Sequence, residues 1–205
     1  MKKLPIGIQT FEDIRKDDYV YIDKTAIAYE LINQYRYVFL SRPRRFGKSL
    51  FLDTLKNIFE GKKELFEGLA IYDKWNWNEK YPVIKISWDG QLRDLAGLQS
   101  VIIHNLGINQ ERLGIECIEK NNPAVCFAEL IRKASQKYKQ KVVILIDEYD
   151  RPILEVIENT EKAIEAREFL RGFYSVIKGS DEYIRFTFLT GVSKFSKASI
   201  FSGLN

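Results

Sequence analysis

A three-layer α/β domain built on a mainly parallel sheet is the fold class that this sequence predicts. Four apolar runs, ending near Leu40, Trp88, Asp147 and Thr190, read as strands, and helical stretches separate them. Strands that alternate with helices need long crossovers, and these lay helices on both faces of a parallel sheet. The third run, VVILID, is apolar at successive positions rather than alternate ones, as a strand covered on both faces must be.

The elements follow in order. Asp23 begins DKTAIAYELIN, where Ile27, Ala28, Leu31 and Ile32 form a helical face that Asp23 caps. YRYVFL is then a buried strand. A helix runs from about Ser49 to Glu60, with Leu52, Leu55 and Phe59 on one side and Gly61 as its stop. YPVIKISWDG carries the second strand, and Leu98, Val101 and Ile102 give residues 95–106 helical spacing. Asn122 and Pro123 open another helix as cap and first residue, with Phe127, Leu130, Ile131 and Ala134 as its buried stripe. A helix from about Glu161 to Lys178, stopped by Gly179, separates the last two strands. Residues 66–82 are less regular and read as a surface insertion in which Trp75 and Trp77 are packing covers.

The 205 residues make one domain, in which a segment of residues 1–36 leads into a core of residues 37–205. A hydrophobic fraction of 45%, with 13 Phe and 11 Tyr, is enough for a real core and argues against disorder. Cys117 and Cys126 match no zinc or redox spacing and suggest no disulfide framework, which favours a reducing, cytoplasmic setting. No apolar run is long enough to span a membrane, and the start MKKLPIGIQTFED lacks the apolar region of a signal peptide. A net charge of +4 permits an anionic ligand without establishing nucleic-acid binding.

Chemistry concentrates in three places. The first is FLSRPRRFGKSLFLDTL, a strand, a tight loop ending in Gly47-Lys48-Ser49, and a helix. Backbone N–H groups from Gly47 to Leu50 stand at a helix N-terminus, where unpaired donors and the helix dipole favour a phosphate. Arg44, Arg45 and Phe46 complete the nucleotide-binding loop. Lys48 is placed to pair with β- and γ-phosphates, and the Ser49 hydroxyl to hold Mg²⁺. The loop departs from G-x-x-x-x-G-K-[ST] at its first position, which is Arg42, and Pro43 removes an N–H. Most of the cradle comes from the later half of the loop, so binding is expected to survive. Arg44 and Arg45 add charge that serves either phosphate contact or solvated pairing.

The second place is LIDEYD. Asp147 ends the apolar strand as the Mg²⁺ carboxylate, and Glu148 follows as the general base for water. The third is FTFLTGVSKF, in which Thr190 ends the neighbouring strand near the γ-phosphate, with Ser193 and Lys194 behind it. Asp150 and Arg151 have no role assignable from sequence. WDG at residues 88–90 reads as a simple turn. His104, the only histidine, lies in an apolar helical stretch and reads as structural. No Ser-His-Asp set or metal cluster is visible.

Taken together, LPIGIQTF, YVYIDKT, FLSRPRRFGKSLFLDTL, ELFEGLAIY, LIDEYDRPI and FLTGVSKFSKASIFSGLN resemble the AAA-ATPase-like domain found at the N-terminus of many bacterial and archaeal proteins. The resemblance covers nearly the whole chain and is most specific at RPRRFGKS. It implies that Arg at the first loop position is a family trait. It maps Gly47, Lys48 and Ser49 to the phosphate loop, and Asp147 and Glu148 to the Mg²⁺ and water-activating pair, with ATP and Mg²⁺ as cofactors. It further implies a P-loop nucleoside-triphosphatase sheet of order 5-1-4-3-2. Family members often continue into a helical lid and a nuclease-like domain of the PD-(D/E)XK type. The chain is therefore expected to be a fragment that stops before the fifth strand and lid. The strand at 37–40 then stays an exposed edge, and hydrolysis is slow without a lid arginine.

The leading reading is an Mg²⁺-dependent ATPase module of a larger protein. The alternative is a non-hydrolysing, nucleotide-dependent switch that regulates a C-terminal nuclease-like domain, through which nucleic acid could be a partner. A nucleoside kinase also uses such a loop, but Glu after Asp suits a hydrolase, because it prepares water. Adenine is preferred to guanine by resemblance only, although the guanine-reading N-K-x-D is absent.

Overall fold

The computed structural model describes residues 2–193. Its elements are α1 (Phe11–Lys16), α2 (Thr25–Gln34), β1 (Tyr37–Ser41), α3 (Lys48–Phe59), β2 (Val83–Ser87), α4 (Leu95–Leu113), α5 (Pro123–Tyr138), β3 (Val142–Asp147), α6 (Arg151–Leu154), α7 (Thr160–Gly179) and β4 (Ile184–Gly191). The strands form one parallel sheet in the order β1-β4-β3-β2. This is the 1-4-3-2 part of the expected order. β1 is an edge of the sheet among the described residues.

Alternation along each strand divides the core in two. Val142, Ile144 and Ile146 of β3 face one side, with Ile84, Ile86 and Ile184, and pack against α4, α5 and α7. Val143 and Leu145 face the other side, with Val83, Phe186 and Phe188, and pack against α1, α2 and α3. Side chains of successive strand residues point to opposite faces, so only a strand apolar at every position can serve both layers. All six residues of β3 are buried, as the unbroken apolar run required.

Local signals set most boundaries. Asn122 accepts from the Val125 N–H at 3.3 Å with Pro123 at the first helical position, and Asp94 caps α4 from the Gly97 N–H at 2.8 Å. Gly61 has φ 73, the left-handed geometry that ends a helix. Trp75 and Trp77 lie against Phe59 and Phe66 as covers, with ring centroids 5.6 and 4.9 Å apart.

Four expectations are corrected. Asp23 is not the cap of α2: its Oδ1 accepts from the Thr25 N–H and hydroxyl, both at 2.7 Å, one residue before the cap position. Ile27 is 54% exposed, because the buried face of α2 is Thr25, Ala28 and Ile32. α4 continues to Leu113, since Leu106 and Leu113 extend its buried stripe and Gly114, at φ 60, ends it. Gly179 is the last residue of α7 rather than its stop, and Ser180 is the cap.

A fifth correction concerns the cysteines. Cys117 and Cys126 are joined in a disulfide with Cα atoms 5.3 Å apart. The chain turns after α4 so that Cys117 lies over the first turn of α5, and a sequence spacing does not reveal that approach.

The N-terminal segment is tied to α3. Asp53 of α3, 6% exposed, accepts the Phe11 N–H at 2.8 Å and pairs with Lys85 of β2 at 3.7 Å. α1 thereby docks on α3, and Phe11 packs with Tyr21 and Phe66.

Candidate functional site

The carboxyl ends of parallel strands are where open α/β sheets bind ligands. Here β1 leads into the loop of residues 42–47, β3 delivers Asp147 and Glu148, and β4 delivers Thr190 between them. In the register, Leu40 stands opposite Thr190, and Ser87 opposite Asp147.

The loop explains its own departure from the glycine pattern. Positive φ falls on Arg45, at 68°, and Gly47, at 73°, whereas Arg42 lies outside that region. The Arg42 N–H donates to the Gly191 carbonyl at 3.2 Å, continuing the β1–β4 ladder. A residue in a ladder has no need of glycine's freedom. At Gly47 a Cβ would meet nothing within 4 Å, so the space above it is open for a ligand. Gly47 caps α3, and α3 begins at Lys48, one residue earlier than expected.

Lys48 is 6% exposed. Its ammonium donates to the carbonyls of Arg42 at 2.9 Å and Pro43 at 3.1 Å. An ionic partner would stabilise a buried ammonium more strongly than these two neutral carbonyls do. Ser49 and Leu50 are half-buried in the first turn, while Arg44, Arg45 and Phe46 are exposed.

Asp147 and Thr190 are in contact. The Thr190 hydroxyl, fully buried, donates to Asp147 Oδ1, and the Glu148 N–H approaches both that oxygen at 3.1 Å and the Thr190 hydroxyl at 3.2 Å. Thr190 thus orients the carboxylate. Glu148 itself has φ 51, a conformation that costs a non-glycine residue about 1 kcal/mol and that clusters at functional turns.

Three residues that the sequence left without a role complete the site. Asp150 is 1% exposed and accepts the N–H groups of Val192 at 2.9 Å and Ser193 at 2.6 Å, bolting the turn after β3 to the end of β4. Arg151 pairs with Glu148 at 3.2 Å, Asp89 at 2.8 Å and Glu155 at 3.5 Å. Partial burial works against its charge, but Glu148 and Asp89 outweigh burial and raise its pKa above the ordinary arginine value. Asp89 therefore makes the WDG turn more than a simple turn, because it reaches the Glu148 turn through Arg151. The Arg151 pairs with Glu148 and Glu155 are local, three and four positions apart, whereas no local signal could have found the Asp150–Val192 and Arg151–Asp89 contacts, whose partners lie 42 and 62 residues away. Below them, Trp88 donates to the Tyr174 hydroxyl at 2.8 Å, and Tyr149 donates its hydroxyl to the Ser193 carbonyl at 2.8 Å. Lys194 lies outside the described residues.

Among the described residues, no three His, Cys, Asp or Glu side chains converge to hold a metal by themselves. The candidate oxygen donors are the Ser49 hydroxyl, in the first turn of α3, and the Asp147 carboxylate, at the end of β3. Such an oxygen set suits Mg²⁺, which takes one or two protein ligands and completes its shell with phosphate and water.

The profile of the family described as "Predicted AAA-ATPase" matches residues 5–201. The chain belongs to the AAA-ATPase-like family. That membership, together with the open loop, implies nucleotide binding. The chain is also 54% identical over 206 residues to a protein of Azotobacter chroococcum mcd 1 described as "Uncharacterized protein in vnfD 5'region". The match covers 100% of this chain and 40% of that relative, so the chain spans well under half the length of the curated relative it matches. No solved structure matches the chain. No helix among the described residues is long and apolar enough to cross a membrane.

Proposed function

We propose that this AAA-ATPase-like domain is an Mg²⁺-dependent ATPase module of a larger protein. The observation that carries this reading is the Lys48 ammonium, buried and held, among the described residues, by the carbonyls of Arg42 and Pro43, beside an open glycine and a helix N-terminus. The N–H groups at the start of α3 and Lys48 bind and orient the triphosphate, and Arg44 and Arg45 add positive potential at the loop. Ser49 and Asp147 are the residues that would hold Mg²⁺, which supplies charge neutralisation on the phosphates when bound. Thr190 keeps Asp147 oriented. Glu148 accepts the proton of the attacking water.

A second reading, a nucleotide-dependent switch with little turnover, is favoured by one contact. Arg151 occupies Glu148 at 3.2 Å. A carboxylate oxygen that accepts from a guanidinium is less available to accept from an attacking water. The larger size of the relative agrees with either reading, since a switch or a motor domain acts on segments beyond itself.

Calorimetric titration of the chain with Mg²⁺–ATP, with Lys48→Ala as control, tests the site. ATP binding that depends on Lys48 is the expected result. Equal affinity in the two proteins, or none in either, refutes the site.

A further inference from the structure

A cavity of about 470 Å³ opens beside the Glu148 turn, lined by Arg44, Arg93, Arg151 and Lys162 together with Glu155 and Glu158. Arg44 of the loop lines its wall, whereas Gly47, Lys48, Ser49, Asp147 and Thr190 do not, so the cavity adjoins the phosphate cradle without including its central residues. The four cations come from four segments: the loop, the stretch before α4, α6 and α7. Among the described residues, Arg44, Arg93 and Lys162 make no ion pair, while Glu155 already pairs with Arg151. Asn159, which caps α7 through the Lys162 N–H at 3.0 Å, also lines the wall, so the positive end of a 20-residue helix adds to the field. Arg151 is already matched by carboxylates, but Arg44, Arg93 and Lys162 outnumber Glu158, the wall carboxylate that makes no ion pair among the described residues, and an anion between these three cations relieves their mutual repulsion. Guanidinium forks and an ammonium are the groups that recognise phosphate. The volume lies in the range of small-ligand sites.

The geometry points to this cavity as a second anion site, for a ligand that carries two or more adjacent phosphate groups and is distinct from the nucleotide on Lys48. Its ligand competes with Glu148 for Arg151, and so frees the carboxylate. This coupling, unlike the binding itself, rests on the reading of Glu148 as the base.

The test is direct binding, at low and raised salt, of a short labelled DNA single strand and of tripolyphosphate. It compares the full chain, Lys48→Ala, and the double variant Arg93→Glu with Lys162→Glu, whose side chains are exposed and whose replacement leaves the core untouched. Binding to the full chain and to Lys48→Ala, weakened at least about tenfold in the double variant and falling with salt, is the expected result. Preference for the strand identifies a nucleic acid as the source of phosphate, and preference for tripolyphosphate identifies a small phosphorylated ligand. No binding of either to Lys48→Ala, or equal binding by the double variant, overturns the site. Turnover of Mg²⁺–ATP that rises with ligand in the full chain but not in the double variant is the coupling signature, and equal rise in both overturns the coupling. Failure of ATP to bind while the strand still binds would instead remove the nucleotide reading and leave the cavity in place.

Discussion

Arg151 Nη1 stands 3.2 Å from the Glu148 carboxylate, and the same nitrogen stands 2.8 Å from Asp89. Glu148 is therefore linked by one guanidinium to the turn after β2. A pair as exposed as this, with side chains 29% and 34% accessible, holds its partners weakly. It suits an arrangement that must be broken to act.

Arg151→Ala is expected to raise ATP turnover up to about fivefold, the worth of a surface ion pair converted to rate. Glu148→Gln is expected to lose at least about a hundredfold in turnover with unchanged ATP affinity. Steady-state rates and calorimetry on the same preparations decide both. A slower Arg151→Ala would mean that the guanidinium assists the phosphates rather than restrains the base.

Asp150→Ala removes a buried carboxylate that two backbone N–H groups share, leaving both donors unpaired. A loss of about 2 kcal/mol is expected from charged hydrogen bonds, read as a lower denaturant midpoint. Because Asp150 ties the Glu148 turn to the strand that carries Thr190, ATP turnover should fall as well, even where the variant is fully folded. Unchanged stability would contradict the role of this tie.

Gly191→Ala is the steric counterpart. A Cβ at Gly191 would stand 2.2 Å from Tyr149 Cε1 and 2.9 Å from Asp150 Oδ1. Both neighbours are buried and held, so the variant is expected to lose about 1–3 kcal/mol through overpacking. Gly47→Ala meets no such neighbour, but its φ of 73 strains it directly. Comparing the two by thermal unfolding separates crowding from backbone strain.

At the other end of β1, burial and the Asp181 carboxylate push the Tyr37 phenol up to about 12. Its hydroxyl donates to Asp181, whose other oxygen accepts from Arg36 at 2.8 Å. A pKa raised in the folded state contributes stability that is fully present below the unfolded value near 10 and is lost as pH rises to about 12. Tyr37→Phe should flatten the decline of stability over that window. An identical decline in both proteins would show that other groups cause it.

The strands, the helix that starts at Gly47-Lys48-Ser49 and the position of Asp147 at a strand end were legible because each is a local pattern. Continuous apolar character marks a strand covered on both faces, and Gly-Lys-Ser before a helix marks an anion site within a few residues. Asn122-Pro123 set a helix start for the same reason. Failures occurred where the deciding neighbour is distant in the chain. Ile27 fits the apolar pattern of α2 but faces solvent, because α2 meets its neighbours through Thr25, Ala28 and Ile32. Cys117 and Cys126 meet only because the chain folds back between α4 and α5. Asp150 and Arg151 read as ordinary turn residues until β4 and the turn after β2 are brought beside them. Residue types and spacing thus specify which groups can carry charge, cap a helix or approach a phosphate. Which carboxylate binds backbone, which is held by arginine and which remains for chemistry depends on contacts across the parallel sheet. Apart from the neighbouring Glu148–Arg151 pair, those contacts join residues dozens of positions apart, and no short-range periodicity encodes them.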